Sequence, residues 1–384
     1  MKTLPKVPVH PDTWERLRAL ARALIDGCRT VLPDGTSIWC PDAQGNYRGV
    51  WLRDFCYAVE GLPDMFEPAN VLAVTDLFLA HQLDDGTIPT RILADGVADY
   101  REGPRETPIG HGPPADNPQF LAKLLCTYVD VSGDWRALYE RLDAVDRALR
   151  ALPLDREHFV YIDPNLPRSA YGFTDCVAKT GRELFCSLLL REAYYRLAET
   201  CRRWELHEEA HYWYERGEAV GRVAAPFYVA GWRMFAAATT DCRQIDLWGS
   251  VYACVTLAAS GSQREAVASF LREHYDRCFW RGHLRHLAAG EYWERMLVDV
   301  PPERYQNGGY WAVPAGWAAQ VLATVDEALA ARLLDELVTE FEQYGVHEWI
   351  HPEHGRHVKG YIASLANVVG AVRPISRKRL EAAG

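Results

Sequence analysis

Apolar residues recur with a period close to 3.6 along most of the chain, and the recurrences predict twelve helices. They cover residues 12–28, 51–62, 68–81, 116–131, 135–151, 179–202, 205–222, 245–259, 262–275, 310–323, 326–342 and 359–371. The segments are of two kinds. In 326–342, Leu329, Leu333, Leu334, Leu337, Val338 and Phe341 line one face, and Asp326, Glu327, Arg332, Asp335, Glu336 and Glu340 line the other, as in a helix with one side in water. Segment 205–222 repeats the pattern, with Leu206, Ala210, Trp213, Tyr214, Gly217 and Val220 set against Glu205, Glu208, Glu209, His211 and Glu218. Residues 245–259, 311–323 and 360–372 are instead apolar nearly all round, which predicts burial on every side.

Connections alternate in step with the helices. Those leading from an apolar segment to the next amphipathic one are short. Those leading back are long and rich in Gly, Pro, Asp, His and aromatic residues, a form that loops usually take for functional reasons. Six helical hairpins in a ring satisfy the pattern, with apolar helices inside, amphipathic ones outside and the long loops gathered over one end, where a pocket should form. The expectation is therefore an all-α (α/α)6 barrel, a six-hairpin toroid, built as one catalytic domain over 1–384 with 1–10 and 376–384 as flexible tails. A superhelical array of repeats is the rival architecture, but no repeated consensus is visible.

Composition narrows the function. Hydrophobic residues make up 48% and aromatic ones 11%, with 13 Trp and 19 Tyr, enough for a large core and for rings in a cleft. A formal charge of −10 argues against nucleic acid, whose affinity comes mainly from neutralised phosphates. The opening MKTLPKVPVHPDTW lacks the apolar core of a signal peptide, and no stretch approaches the roughly 18–20 apolar residues of a membrane span, so a cytoplasmic protein without membrane partners is expected. The ten cysteines show no CxxC and no matching His spacing, so they read as small buried hydrophobes with neither metal nor disulfide. With no Gly-rich phosphate loop, Ser-His-Asp order or metal motif, no cofactor is expected.

The chemically suggestive clusters fall in long loops or at the starts of apolar helices. They are Trp51-Leu52-Arg53-Asp54-Phe55, Asp116-Asn117, Gly172-Phe173-Thr174-Asp175, Asp246-Leu247-Trp248, Gln306-Asn307-Gly308-Gly309-Tyr310-Trp311 and His347-Glu348-Trp349-Ile350-His351. Aromatic faces cover the C–H face of a pyranose, and Asp, Asn, Gln and Arg satisfy its hydroxyls, so a small carbohydrate is the partner these residues fit. Simpler readings stand beside this one. Asp116 and Asp246 are also natural N-caps, Trp248 also suits a core, and Arg53–Asp54 also suits a structural ion pair. Standing next to Asp54, Arg53 should lower its pKa and keep it ionised, which suits Asp54 to holding a sugar hydroxyl rather than donating a proton.

These motifs also carry a family resemblance. WLRDF resembles the W-x-R-D element of glucoamylases and related six-hairpin glycosidases, whose Arg-Asp pair grips the non-reducing-end sugar. QNGGYW is similar to an element of amylo-1,6-glucosidases, invertases and the α-glucosidase I group. HEWIHPEHG is similar to the E-x-x-N-P-x-T-G element of that last group, with His351-Pro352 where the family has Asn-Pro. The resemblance implies a glycoside hydrolase acting on a terminal, α-linked glucosyl-type sugar, with Glu348 as catalytic base.

Glycoside hydrolysis needs one acid to protonate the leaving oxygen and one carboxylate across the sugar. Asp175 and Glu348 are the pair expected here, because their loops precede the sixth and twelfth helices, which are opposite in a six-hairpin ring. Inversion follows if a water fits between. Capping a helix that starts near Val177 or Lys179 is the alternative for Asp175. Glu183, Glu291 and Glu294 are reserves. Lys179, Arg182, Lys359 and Arg168 flank the two loops and either balance local carboxylates or receive an anionic aglycone. A sugar epimerase using His347, His351, His354 and His357, a phosphorylase and a non-catalytic carbohydrate-binding scaffold are the rival functions.

Overall fold

The two kinds of helix form two concentric layers in the computed structural model, which describes residues 3–375. In chain order the helices are α1 (Pro11–Cys28), α2 (Leu52–Gly61), α3 (Pro68–Ala80), α4 (Asn117–Ser132), α5 (Trp135–Tyr139), α6 (Leu142–Arg150) and α7 (Leu184–Arg203). They continue with α8 (His207–Val220), α9 (Leu247–Val255), α10 (Gly261–Glu273), α11 (Tyr275–Cys278), α12 (Ala315–Leu322), α13 (Glu327–Tyr344) and α14 (Ile362–Ala371). Helices α2, α4, α7, α9, α12 and α14 touch in that order, and α14 closes on α2, so the ring is complete. Around it α1 packs on α14, α3 and α6 on α4, α8 on α7, α10 on α9 and α12, and α13 on α12.

Side-chain size decides how tightly the ring closes. Every residue of α9 and α12 is buried, as is all of α14 but Gly370. A Cβ on Gly61 of α2 would lie 2.1 Å from the carbonyl oxygen of Ala366 on α14, and one on Gly316 of α12 would lie 2.5 Å from that of Asn367. Only glycine lets these backbones approach. Outer helices α10 and α13 start on side-chain caps, with Asp326 accepting from Leu329 N and Ser260 forming a capping box with Gln263.

The expectation of an all-α protein is corrected at the rim. Six long connections precede the inner helices, and they fold into small antiparallel sheets. Gly49–Trp51 pairs with Arg91–Leu93, which pairs with Ala98–Asp99. A five-stranded sheet joins Phe279–Trp280, His283–Leu284, Tyr310–Trp311, His347–His351 and Gly355–Lys359. Trp51, Gly181–Arg182, Tyr310–Trp311 and Lys359, expected within helices, are therefore strand residues. Buried main chain crossing the barrel mouth needs hydrogen-bond partners, and neighbouring loops supply them. The expected helix 135–151 divides at Arg141, whose side chain bonds the carbonyl of Ala137 and pairs with Asp76 of α3.

The stretch 1–10, expected as a flexible tail, is part of the fold from Thr3 onward. Val7–Val9 pairs in parallel with Val372–Pro374, and Gln320 Nε2 donates to the carbonyls of Leu4 at 3.0 Å and Pro5 at 3.2 Å. The other expected tail, 376–384, lies outside the described residues. All ten cysteines are buried free thiols. Among the described residues no helix is long and apolar enough to cross a membrane.

Candidate active site

Asp175 lies in the loop before α7 and Glu348 on a strand of the loop before α14, the third and sixth inner helices, so the two stand across the mouth of the ring. Each is held by a neutral donor. Gln306 Nε2 donates to Asp175 Oδ1 at 2.7 Å, while Gln306 Oε1 accepts from Cys176 N at 2.9 Å and fixes the amide. Tyr47 hydroxyl donates to Glu348 Oε1 at 2.7 Å. Tyr47 is itself set by Asp42, whose Oδ2 accepts from Tyr47 N and whose Oδ1 accepts from Gln44 N and Asn46 N. Helix α7 begins only at Leu184 and is capped by Glu183, so Asp175 has no helix to cap. Glu183 is thereby removed from the reserve acids.

Burial governs the electrostatics. Glu348 is 2% exposed and Asp175 9%. Loss of water raises the Glu348 carboxyl to about 8 against the Tyr47 hydrogen bond, with Asp54, Asp175 and Asp42 adding to the rise. Burial likewise raises Asp175, opposed by the Gln306 hydrogen bond and the charge of Arg53.

Arg53 and Asp54 do not form the structural ion pair that was the simpler alternative to sugar binding. Adjacent helical residues do not face one another. Arg53 turns to Asp116 Oδ2 at 2.8 Å and to Glu102 Oε1 at 3.3 Å, whereas Asp54 Oδ1 accepts from Tyr361 hydroxyl at 2.6 Å. Burial consequently raises Asp54, where the pairing argument predicted a lowered value. Asp116 makes no cap; its Oδ2 also accepts from Gly172 N at 2.9 Å. The Arg53 guanidinium fills the space beside Gly172, where a Cβ would lie 1.6 Å from its Cζ. Arg53 and Asp116 thus fix the turn that carries Asp175.

Glu102 escaped the sequence reading because its segment has no helical period. It is buried, accepts from Arg53 and from Thr90 Oγ1, and is raised to about 7 by burial, against the pull of Arg53. Tyr47 and Asp42 were missed as well, although PDAQGNY carries the Asp-to-Asn spacing of a tight side-chain-capped turn.

Other expected site residues divide into those near the centre and those that brace it. Phe173 contacts Trp248, Trp311 and Tyr361, and Tyr47 sits edge-on to Trp51, which makes one aromatic wall. Trp51 Nε1, Asn117 Oδ1, Asp116 Oδ1, Glu102 Oε2 and Trp248 Nε1 are buried without a protein partner. Asp246 caps α9 through Gly249 N, and its other oxygen pairs with Lys179, which also pairs with Glu183. Lys179 is thus an internal counter-ion. Asn307 ties Trp293 N to the carbonyl of Val300. His351 pairs with Glu303, which holds Arg285, and Tyr310 lies beside both His351 and Arg285. Trp349 stacks on His357. Lys359 is exposed at the strand end, its chain against Gly345. Arg182 pairs with Asp155 and Glu157, Glu291 with Arg277, and Glu294 accepts from Cys242 N.

The inner ring of six helices with its outer layer is an (α/α)6-type barrel, and the buried carboxylates Asp175 and Glu348 lie in two of its rim loops. Among solved structures the chain resembles a rhamnosidase from Klebsiella oxytoca with rhamnose bound, at a TM-score of 0.67 and 14% identity over 96% of this chain and 65% of that one. It also resembles a GH63 mannosylglycerate hydrolase from Thermus thermophilus in complex with glucose, at 0.65 and 14% identity over 93% of this chain and 100% of that one. The chain thus spans just under two thirds of the rhamnosidase and the whole of the hydrolase. At such identity the likeness is one of fold. No protein-family model and no curated protein matches the chain.

Proposed function

We propose that the protein is a glycoside hydrolase that removes a terminal, α-linked glucosyl-type sugar with inversion, Asp175 acting as general acid and Glu348 as general base. The observation that carries this reading is the pair of buried carboxylates on opposed loops, each oriented by its own neutral donor. Asp175, whose carboxyl burial raises, gives its proton to the glycosidic oxygen as the C–O bond breaks. Glu348 takes a proton from the water that attacks the anomeric carbon from the other face. It must be ionised to do so. Its rise comes first from loss of water, so the base role requires the attacking water to reach Glu348 and offset that loss. The unpartnered polar atoms of Trp51, Asn117, Asp116, Glu102 and Trp248 fit sugar hydroxyls, and Phe173, Trp248 and Trp311 fit its apolar face.

The histidines give the epimerase alternative no support. Along the strand His347–His351 side chains alternate, so His347 and His351 project to the face opposite Glu348, and His351 is engaged by Glu303. The test is hydrolysis of a panel of α- and β-glycosides, with the first product followed by proton NMR before mutarotation. An α-linked substrate yielding β-sugar first is expected. α-Sugar first would mean retention and remove the base role of Glu348, and no hydrolysis across the panel would remove the reading.

A further inference from the structure

On the flank of the rim two arginines stand together without an acid. The Arg101 guanidinium donates to the carbonyl of Gly110. That of Arg168 lies against Gly112, where a Cβ would sit 3.2 Å from its Cζ, and a Cβ on Gly110 would lie 2.8 Å from the Arg168 Cα. His111 N donates to Pro167 O at 2.9 Å, so the turn Gly110–Gly112 is laid directly along the segment bearing Arg168. Both glycines have positive φ. Both guanidinium groups therefore gather on one turn.

Many other half-buried or buried arginines of this acidic chain are paired, among them Arg53, Arg91, Arg141, Arg196, Arg285 and Arg356, while Arg191 lies over the Tyr195 ring and Arg264 donates to the carbonyl of Ala259. The acids next to Arg101 are committed elsewhere. Asp99 is held by Arg91, and Glu102 faces Arg53. Glu106, the remaining acid of the loop, is exposed, as are Arg105 and His111. Burial first, and then the charge of Arg101, push the Arg168 guanidinium below its ordinary value. Two partly desolvated like charges side by side are unfavourable until an anion joins them.

We propose that Arg101, Arg168 and the Gly110–Gly112 turn form an oxyanion-binding site for a carboxylate or phosphate group. Guanidinium forks match the paired oxygens of such groups. The anion is either carried by the substrate or free. Arg101 adjoins Glu102, and Arg168 leads through Ser169, Ala170 and Tyr171 into the turn bearing Asp175, so an anion here stands at the edge of the carboxylate centre. The site does not depend on the hydrolytic reading, and neither does its first test.

That test is calorimetric titration of inorganic phosphate into the wild type, Arg101→Gln and Arg168→Gln at constant ionic strength, with chloride as control. The wild type should bind phosphate in preference to chloride, and each variant should bind at least about tenfold more weakly, as loss of a charged hydrogen-bond partner implies. Without anion, Arg168→Gln should melt no lower than the wild type, since it loses no ion pair and a like-charge contact disappears. Equal phosphate affinity in all three proteins, or no preference over chloride, would overturn the site. Hydrolysis of a carboxylate-bearing glycoside against its methyl ester separates the two sources. A preference that collapses in Arg168→Gln places the anion on the substrate, and a preference that survives while phosphate binding is lost makes the anion a separate ligand.

Discussion

Glu348 is kept uncharged up to about pH 8 chiefly by the absence of water around it, and this has a consequence for stability. Its ordinary pKa is near 4.5, so the folded chain holds a proton there that the unfolded chain releases. The contribution is complete below the unfolded value and is lost as pH rises through the folded one. Glu348→Gln keeps an acceptor for Tyr47 and has no proton to lose. Its melting temperature should match the wild type near pH 4 and exceed it increasingly towards pH 9. A constant difference across that range would mean that Glu348 is not the buried acid described. Gly172 gives a second prediction. A methyl group there would occupy the space of the Arg53 guanidinium, so Gly172→Ala should break the Arg53–Asp116 contact and cost about 3–5 kcal/mol, as losing one partner of a buried pair does. Denaturant titration measures this directly. Little of such detail is legible in the sequence. It places Asp175 and Glu348 on opposed loops, but which atom faces Arg53 is decided by helix geometry and by Glu102, a residue distant in sequence with no periodic signal.

Helices were the readable elements, and the loops over them were not. Apolar stretches such as 245–259 reveal an inner helix because burial on all sides demands it, and the amphipathic stretch 326–342 reveals an outer one. The N-terminal ends of the inner helices were misread by a few residues at Trp51, Gly181, Tyr310 and Lys359. Trp51 and Tyr310 pair with strands from other loops, and Gly181 and Lys359 with strands earlier in their own loops, bonds that helical periodicity does not carry. Close approach of inner helices is the element-scale feature with the sharpest test. Gly61→Ala would put a methyl group 2.1 Å from the Ala366 carbonyl, and α2 and α14 would have to separate. Destabilisation of about 1–3 kcal/mol is expected from such overpacking. An unchanged melting temperature would show that the ring does not depend on this contact.

At the scale of the molecule, ring closure separates two ends with different tasks. The rim carries the carboxylates. The other end, where α9, α12 and α14 finish, is tied by the N-terminal segment through Val7–Val9, Leu4 and Gln320. There the chain borders a cavity of about 230 Å³ lined by Tyr57, Lys123, Glu192, Tyr252 and Asn367 among others, with neither Asp175 nor Glu348 in its lining. Deleting residues 1–9 should lower the melting temperature, by roughly 2–4 °C for each kcal/mol lost, and leave the chemistry of the rim intact below that temperature. Equal losses of stability and low-temperature activity would show that the two ends are coupled. The central claim is that two opposed carboxylates perform hydrolysis. Its most direct test is the turnover of Asp175→Asn and Glu348→Gln on whichever glycoside the wild type cleaves, with circular dichroism verifying the fold. Each should lose on the order of 10²–10⁴ in rate, as removal of a general acid or base does. Near wild-type turnover in either variant would contradict the account.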